Sequence, residues 1–162
     1  MDNRVFRCPD CGFVYYHNTA AATALIADTG GCILFTRRGK EPAAGKLDLP
    51  GGFVNPREGA VEGLIRECRE ELGWTPERGS LVLFASFPNV YPYKNIVYNT
   101  CDFYFTARID DGLTEESFNL QQSEISGVEF IKYDEVRLEK LAFESTRLAA
   151  RAYLKTLGGI YE

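Results

Sequence analysis

The sequence predicts an α/β domain, on three observations. Two apolar runs, residues 20–27 (AAATALIA) and 32–38 (CILFTRR), have the length and composition of strands. A strongly amphipathic helix follows them. Two runs rich in β-branched and aromatic residues, 80–87 (SLVLFASF) and 97–107 (VYNTCDFYFTA), come next, with helical patterns at the end. At 162 residues the chain is long enough for one domain with a proper core.

Charge and cysteine usage narrow the function classes. A net charge of −5 without a basic run argues against a nucleic-acid binder. No apolar run is long enough to span a bilayer, and the opening MDNRVFRCPD lacks the apolar core of a signal peptide, so no membrane role is expected. Five cysteines at irregular spacing do not make a disulfide framework, which points to a reducing cytoplasm.

Residues 1–18 read as a distinct N-terminal segment and 19–162 as the domain. In the segment, Cys8-Pro9-Asp10-Cys11-Gly12 is a zinc-knuckle sequence, two thiols two residues apart in a turn relaxed by glycine. A closed zinc site needs four ligands, and no second knuckle follows. Two readings stand: Zn²⁺ held by Cys8, Cys11 and a ligand from elsewhere, or a turn that survives without metal. The missing pair favours the second.

The first two strands, joined at Asp28-Thr29-Gly30-Gly31, read as a hairpin. A glycine-rich stretch, 45–52, leads to a turn through Asn55-Pro56 and a helix from about Glu58 that ends at Gly73. Val61, Leu64, Ile65, Cys68 and Leu72 form its apolar stripe. Glu67, Glu70 and Glu71 gather on another face, in the last turn, where the helix dipole disfavours acids. Such a patch after a glycine turn is either a solvated acidic face or a site for a hard divalent cation held by oxygen ligands. The dipole and the glycines favour the metal. Beyond the helix, 88–95 reads as a polar, aromatic loop between two strands, and 113–122 as loop with a short helix. A short strand around 125–131 and helices over 133–141 and 143–157 complete the chain.

The spacing Gly52, Glu58, Arg66-Glu67-Cys68-x-Glu70-Glu71-x-Gly73-Trp74 resembles the Nudix box across residues 52–74. Only Cys68 and Trp74 depart from it, at positions that usually carry aliphatic residues. The resemblance implies a Nudix-type α/β/α sandwich with a mixed β-sheet. It implies Mg²⁺ or Mn²⁺ held by Glu67, Glu70 and Glu71 with the Gly51 or Gly52 carbonyl nearby. Glu67 would double as the base that orients water, although family members differ in which glutamate does this. Arg66 would pair with an acid of the box such as Glu58 and hold the loop. Glu124 is the candidate for one more acid facing the metals, with Glu116 in reserve.

For substrate, Arg37 and Arg38 resemble the family's approach to the active site; they read equally as phosphate contacts or as exposed strand-end charge. Pro88 stands near a position marking ADP-ribose-type members, and Tyr91 near one marking dinucleoside-polyphosphate types. The CPDCG segment is similar to half of the zinc ribbon of NADH-pyrophosphatase types. The implied activity is cleavage of the diphosphate linkage in a nucleoside diphosphate joined to another moiety, ADP-ribose-like substrates first. Dinucleoside polyphosphate or nucleoside triphosphate hydrolysis is the alternative, followed by prenyl diphosphate isomerisation and non-catalytic nucleotide sensing. A small-molecule nucleotide is the expected partner, and a homodimer is expected by analogy.

Overall fold

The computed structural model describes residues 5–158. Strands β1 (Val5–Arg7) and β2 (Val14–Tyr16) pair only with each other, as a two-stranded antiparallel arm. The domain is a seven-stranded sheet of β3 (Ala20–Asp28), β4 (Cys32–Arg38), β5 (Leu47–Asp48), β6 (Gly51–Phe53), β7 (Val82–Tyr93), β8 (Ile96–Arg108) and β9 (Ile125–Lys132). β3 and β8 run parallel and the other pairs are antiparallel, so the sheet is mixed.

Helices α1 (Ala60–Leu72) and α2 (Glu144–Thr156) cover its two faces. Successive residues of a strand point to opposite faces, and the central strands show why theirs are apolar on both. Leu25, Ala27, Leu34, Phe105 and Ala107 pack with Leu64, Cys68 and Leu72 of α1. Their neighbours Ile26, Ile33, Phe35 and Tyr104 pack with Ala149, Ala150 and Leu154 of α2. The expected α/β/α sandwich is therefore present. Gly73 ends α1 as a left-handed cap at φ 62°, its N–H donating to the Arg69 carbonyl at 3.0 Å.

Three local expectations are corrected. β3 and β4 do not zip into a hairpin: they pair only at Asp28–Ile33, because β3 takes β8 and β6 as neighbours and β4 takes β9 and β5. Most of the expected loop at 88–95 is strand. β7 and β8 form one long hairpin that turns at Lys94 and Asn95, and β7 ends the sheet path, where prolines are tolerated. Residues 133–141 are two short 3₁₀ turns, Tyr133–Glu135 and Leu138–Lys140, instead of a helix. Leu141 bridges Leu47 and Ala142 donates to the Leu47 carbonyl, which holds this segment extended along the sheet edge.

Candidate active site

The site begins where two glycines bring a strand against an acidic helix. β6 lies on β3 with Gly51 opposite Ala24 and Gly52 opposite Thr23. Gly51 has φ 148°, and a Cβ there would stand 2.1 Å from the Thr23 carbonyl oxygen. A Cβ on Gly52 would stand 2.6 Å from the Glu67 carboxyl carbon. Arg66 fastens this arrangement. Its Nε and Nη2 donate to the two oxygens of Glu58 at 2.7 and 3.0 Å, Nη1 to Glu67 at 2.8 Å and Glu70 at 3.0 Å, and Nη2 also to the Phe53 carbonyl at 2.9 Å. One planar fork thus ties box loop to box helix.

The acids differ in environment. Glu71 is buried under β6 and accepts the Gly51 N–H at 3.0 Å; burial pushes its carboxyl up to about 8, with the charges of Glu67, Asp48 and Glu124 adding. Burial also raises Glu67, opposed by Arg66 and assisted by Glu70 and Glu124. Glu124 arrives from the loop before β9. The Gly39 N–H holds its carbonyl at 2.6 Å, and Lys40 Nζ meets its carboxylate at 2.6 Å.

As the side chains stand, no three His, Cys, Asp or Glu among the described residues are arranged to hold a metal ion. Arg66 and Lys40 occupy oxygens of Glu67, Glu70 and Glu124. The donor chemistry nevertheless fits a hard divalent cation. Glu71 has no cationic partner among the described residues, Glu67 shares only the Arg66 fork, both carboxyls are raised by burial, and a cation relieves the cost that burial imposes on both.

Glu67, Glu71 and Glu124 line one wall of a cleft of about 220 Å³. The other wall is cationic and aromatic. Arg38 donates to the Pro42 carbonyl at 2.8 Å, to Asp48 at 3.2 Å and to the Tyr91 hydroxyl at 3.4 Å, and lies 4.9 Å from the Phe143 ring centre. Tyr91 packs at a tilt against Phe143 and edge-to-face against Phe53, each at 5.3 Å between centroids. Beneath it, Asp48 accepts from Thr146 at 2.9 Å, and burial raises its carboxyl against the pull of Arg38. Asp102 accepts from Thr100 at 2.6 Å and Ser145 at 2.7 Å. The buried Thr23 hydroxyl lines the same floor without a hydrogen-bond partner among the described residues.

Of the residues singled out in the sequence, Arg38, Gly51, Gly52, Glu67, Glu71, Tyr91 and Glu124 line this cleft. Arg66 and Glu70 stand beside it, joined to Glu67. Arg37 does not line it. Alternation along β4 sends its side chain away, to Glu129 and the Gly45 carbonyl. Pro88 lines a neighbouring hollow with Pro42 and Val90, and Glu116 caps a turn with Thr114 on another surface. Cys8 and Cys11 lie in the arm, with no third metal-ligating side chain beside them among the described residues.

Sequence reasoning missed Lys40, Asp48, Asp102 and Phe143. Only Asp48 left a signal, a lone charge in the apolar run Leu47-Asp48-Leu49. The others reach the cleft by tertiary contact.

A mixed sheet between two helices, with box acids facing a cationic cleft, defines a Nudix-type hydrolase fold and site. The family model for the NUDIX domain matches residues 17–152, and the chain belongs to that family. It is thus a hydrolase acting on phosphoric anhydrides, at the diphosphate linkage of a nucleotide.

The chain is 27% identical over 135 residues to an ADP-ribose pyrophosphatase of Methanocaldococcus jannaschii, covering 83% of this chain and 73% of that protein. It is 33% identical over 76 residues to an 8-oxo-dGTP diphosphatase of Escherichia coli, covering 46% and 57%. The crystal structure of a MutT NUDIX hydrolase from Burkholderia pseudomallei superposes with a TM-score of 0.67 at 22% identity, over 82% of this chain and 96% of that one. No helix among the described residues is long and apolar enough to cross a membrane.

Proposed function

We propose that the protein is a Mg²⁺- or Mn²⁺-dependent pyrophosphohydrolase that cleaves the diphosphate linkage of a nucleoside diphosphate joined to another moiety, with ADP-ribose-like substrates first. The observation that carries this reading is the two-walled cleft: box carboxylates face Arg38, Tyr91 and Phe143 across a space open to a diphosphate and its aromatic end. The likeness to an ADP-ribose pyrophosphatase over most of the chain supports the substrate class.

Glu67, Glu70 and Glu71 would hold the metal, with the Gly51 or Gly52 carbonyl nearby. A bound divalent ion supplies neutralisation of the diphosphate and a lower pKa for water. Glu67 takes the proton of the attacking water at Oε2, since Oε1 receives Arg66; Glu124, on the same wall, is the alternative acceptor. Arg66 is a positioning residue that sets the Glu67 carboxylate against the loop. Arg38, held by Asp48 and Phe143, presents its charge to the substrate phosphates. The water oxygen bonds to phosphorus, the bridging oxygen leaves with its electron pair, and two phosphate-bearing products result.

One observation favours a second reading, hydrolysis of dinucleoside polyphosphates or nucleoside triphosphates: Tyr91 lines the cleft and Pro88 does not. Mass-spectrometric product analysis separates the two. Wild type and Glu70→Gln are incubated with Mg²⁺ and ADP-ribose, NADH, diadenosine polyphosphates, nucleotide sugars and nucleoside triphosphates. AMP and ribose phosphate, lost in the variant, are expected; asymmetric polyphosphate products would establish the second reading. No cleavage with either Mg²⁺ or Mn²⁺ would overturn both.

A further inference from the structure

We infer that Lys40 is a phosphate-binding residue whose ammonium is shared between two anions, passing from the Glu124 carboxylate to the substrate diphosphate as a divalent cation takes up that carboxylate. The inference rests on the reading of the cleft as a metal-dependent diphosphatase site, and adds to it a residue that couples the two ligands.

The backbone brings the pair together. Along β4 and β9 the partners run Thr36–Val128 and Arg37–Gly127, then shift to Arg38–Ile125. This bulge sets Glu124 beside Gly39, whose N–H donates to the Glu124 carbonyl at 2.6 Å. A Cβ on Gly39 would stand 3.1 Å from that carbonyl oxygen, so the two chains press together next to Lys40. From the other side, the Gln121 N–H donates to the Glu71 carbonyl at 2.9 Å and the Glu124 N–H to the Gln121 carbonyl at 2.8 Å. Glu124 is thereby tied to the last turn of α1 as well as to the end of β4. The main chain fixes where both side chains start and leaves their charged ends free to change partners.

The two cations of the cleft differ in this respect. Arg38 is pinned: the Pro42 carbonyl, Asp48 and the Tyr91 hydroxyl take its three nitrogens, and the Phe143 ring lies against it. Lys40 lines the same cleft, and among the described residues its ammonium meets one partner, the Glu124 carboxylate at 2.6 Å. With these side chains 45% and 33% exposed, water competes for both charges and the pair breaks readily. A flexible four-carbon stem then lets the ammonium reach a second anion along the cleft.

Charge gives the direction of the exchange. An entering diphosphate meets Glu67, Glu71 and Glu124 along one wall, while Asp48 already offsets the charge of Arg38, so the phosphates require a further cation. Glu124, a hard oxygen ligand, prefers a divalent ion to an ammonium, and the released ammonium prefers the phosphate oxygens. Each ligand therefore removes an obstacle to the other.

The test compares Lys40→Met, which removes the charge and keeps the length, with Lys40→Arg and Glu124→Gln. Mn²⁺ alone is titrated by electron paramagnetic resonance, and the uncleavable α,β-methylene analogue of ADP by calorimetry in Mg²⁺. Lys40→Met should bind Mn²⁺ about two- to fivefold more tightly, the span an exposed ion pair accounts for, because the competitor at Glu124 is gone. The same variant should bind the ADP analogue at least about tenfold more weakly, through loss of one charge-assisted contact to phosphate. Lys40→Arg should move both values back toward wild type. In a Glu124→Gln background, Lys40→Met should leave Mn²⁺ affinity unchanged and still weaken the analogue. Mn²⁺ affinity unchanged or lower in Lys40→Met, analogue affinity unchanged, or an equal Mn²⁺ gain in the Glu124→Gln background would each overturn the inference. If wild type still cleaves a diphosphate in those cases, the proposed function stands. A wild type that binds neither Mn²⁺ nor the analogue overturns both.

Discussion

Adjacent glycines in the box loop should respond to the same substitution in opposite ways, which tests the geometry of the site directly. In Gly51→Ala the new methyl meets backbone: 2.1 Å from the Thr23 carbonyl oxygen and 2.7 Å from the Ala24 Cα. Neither atom can move without separating β6 from β3. Overpacking costs about 1–3 kcal/mol, and holding alanine at φ 148° adds about 1–3 kcal/mol. A loss of about 4 kcal/mol follows, which for a chain of this size lowers Tm by roughly 8–16 °C. In Gly52→Ala the atoms nearest the methyl are those of the Glu67 carboxylate, 2.6–2.8 Å away. A flexible side chain can swing aside, so the stability cost stays near ~1 kcal/mol. The displaced group is the proposed base and metal ligand, and kcat should fall about 10²-fold. Thermal unfolding in chelator gives Tm and steady-state hydrolysis gives kcat. Equal Tm losses in the two variants, or full kcat in Gly52→Ala, would refute the reasoning.

Further perturbations follow from the same contacts. Arg66→Lys keeps the charge but loses the fork that spans Glu58, Glu67 and the Phe53 carbonyl, so kcat should drop at least about tenfold with KM nearly unchanged. Glu71 titrates near 8 when folded against 4.5 in the unfolded chain, so its burial contributes stability that is full below 4.5 and lost as pH rises through about 8. Without divalent ions, Tm of the wild type should therefore decline over that window, while Glu71→Gln flattens the decline. Added Mg²⁺ should raise the wild-type Tm more at about pH 8.5 than at about pH 6, because metal competes with the proton. Phe143→Ala removes the ring over Arg38 and beside Tyr91, and should raise KM several-fold with little change in kcat if that wall binds substrate.

The box was legible because its chemistry is local. Helix spacing alone places Glu67, Glu70 and Glu71 within about a turn and a half of Arg66, and Gly73 announces the helix end. The opposite wall was not, because its residues come from β4, β7 and the start of α2, which only the sheet brings together. Arg37 and Arg38 show the limit most plainly. The sequence offers two equal cations, and a strand's alternation turns one into the cleft and the other toward Glu129. The 88–95 segment misled for a related reason. Proline and polar residues read as loop, yet an edge strand can carry both.

That edge has a consequence for how the molecule behaves at high concentration. β7 is twelve residues long with one side unpaired, and Val82, Leu83 and Val90 on it are more than half exposed, the profile of a strand that recruits copies of itself. Residues two apart in a strand turn their backbone groups to the same side, so Pro88, Val90 and Pro92 share the orientation that faces away from β8. Two of those three positions have no N–H to offer an incoming strand. An incoming strand would therefore find two of the three hydrogen-bond donors missing along this stretch of the edge.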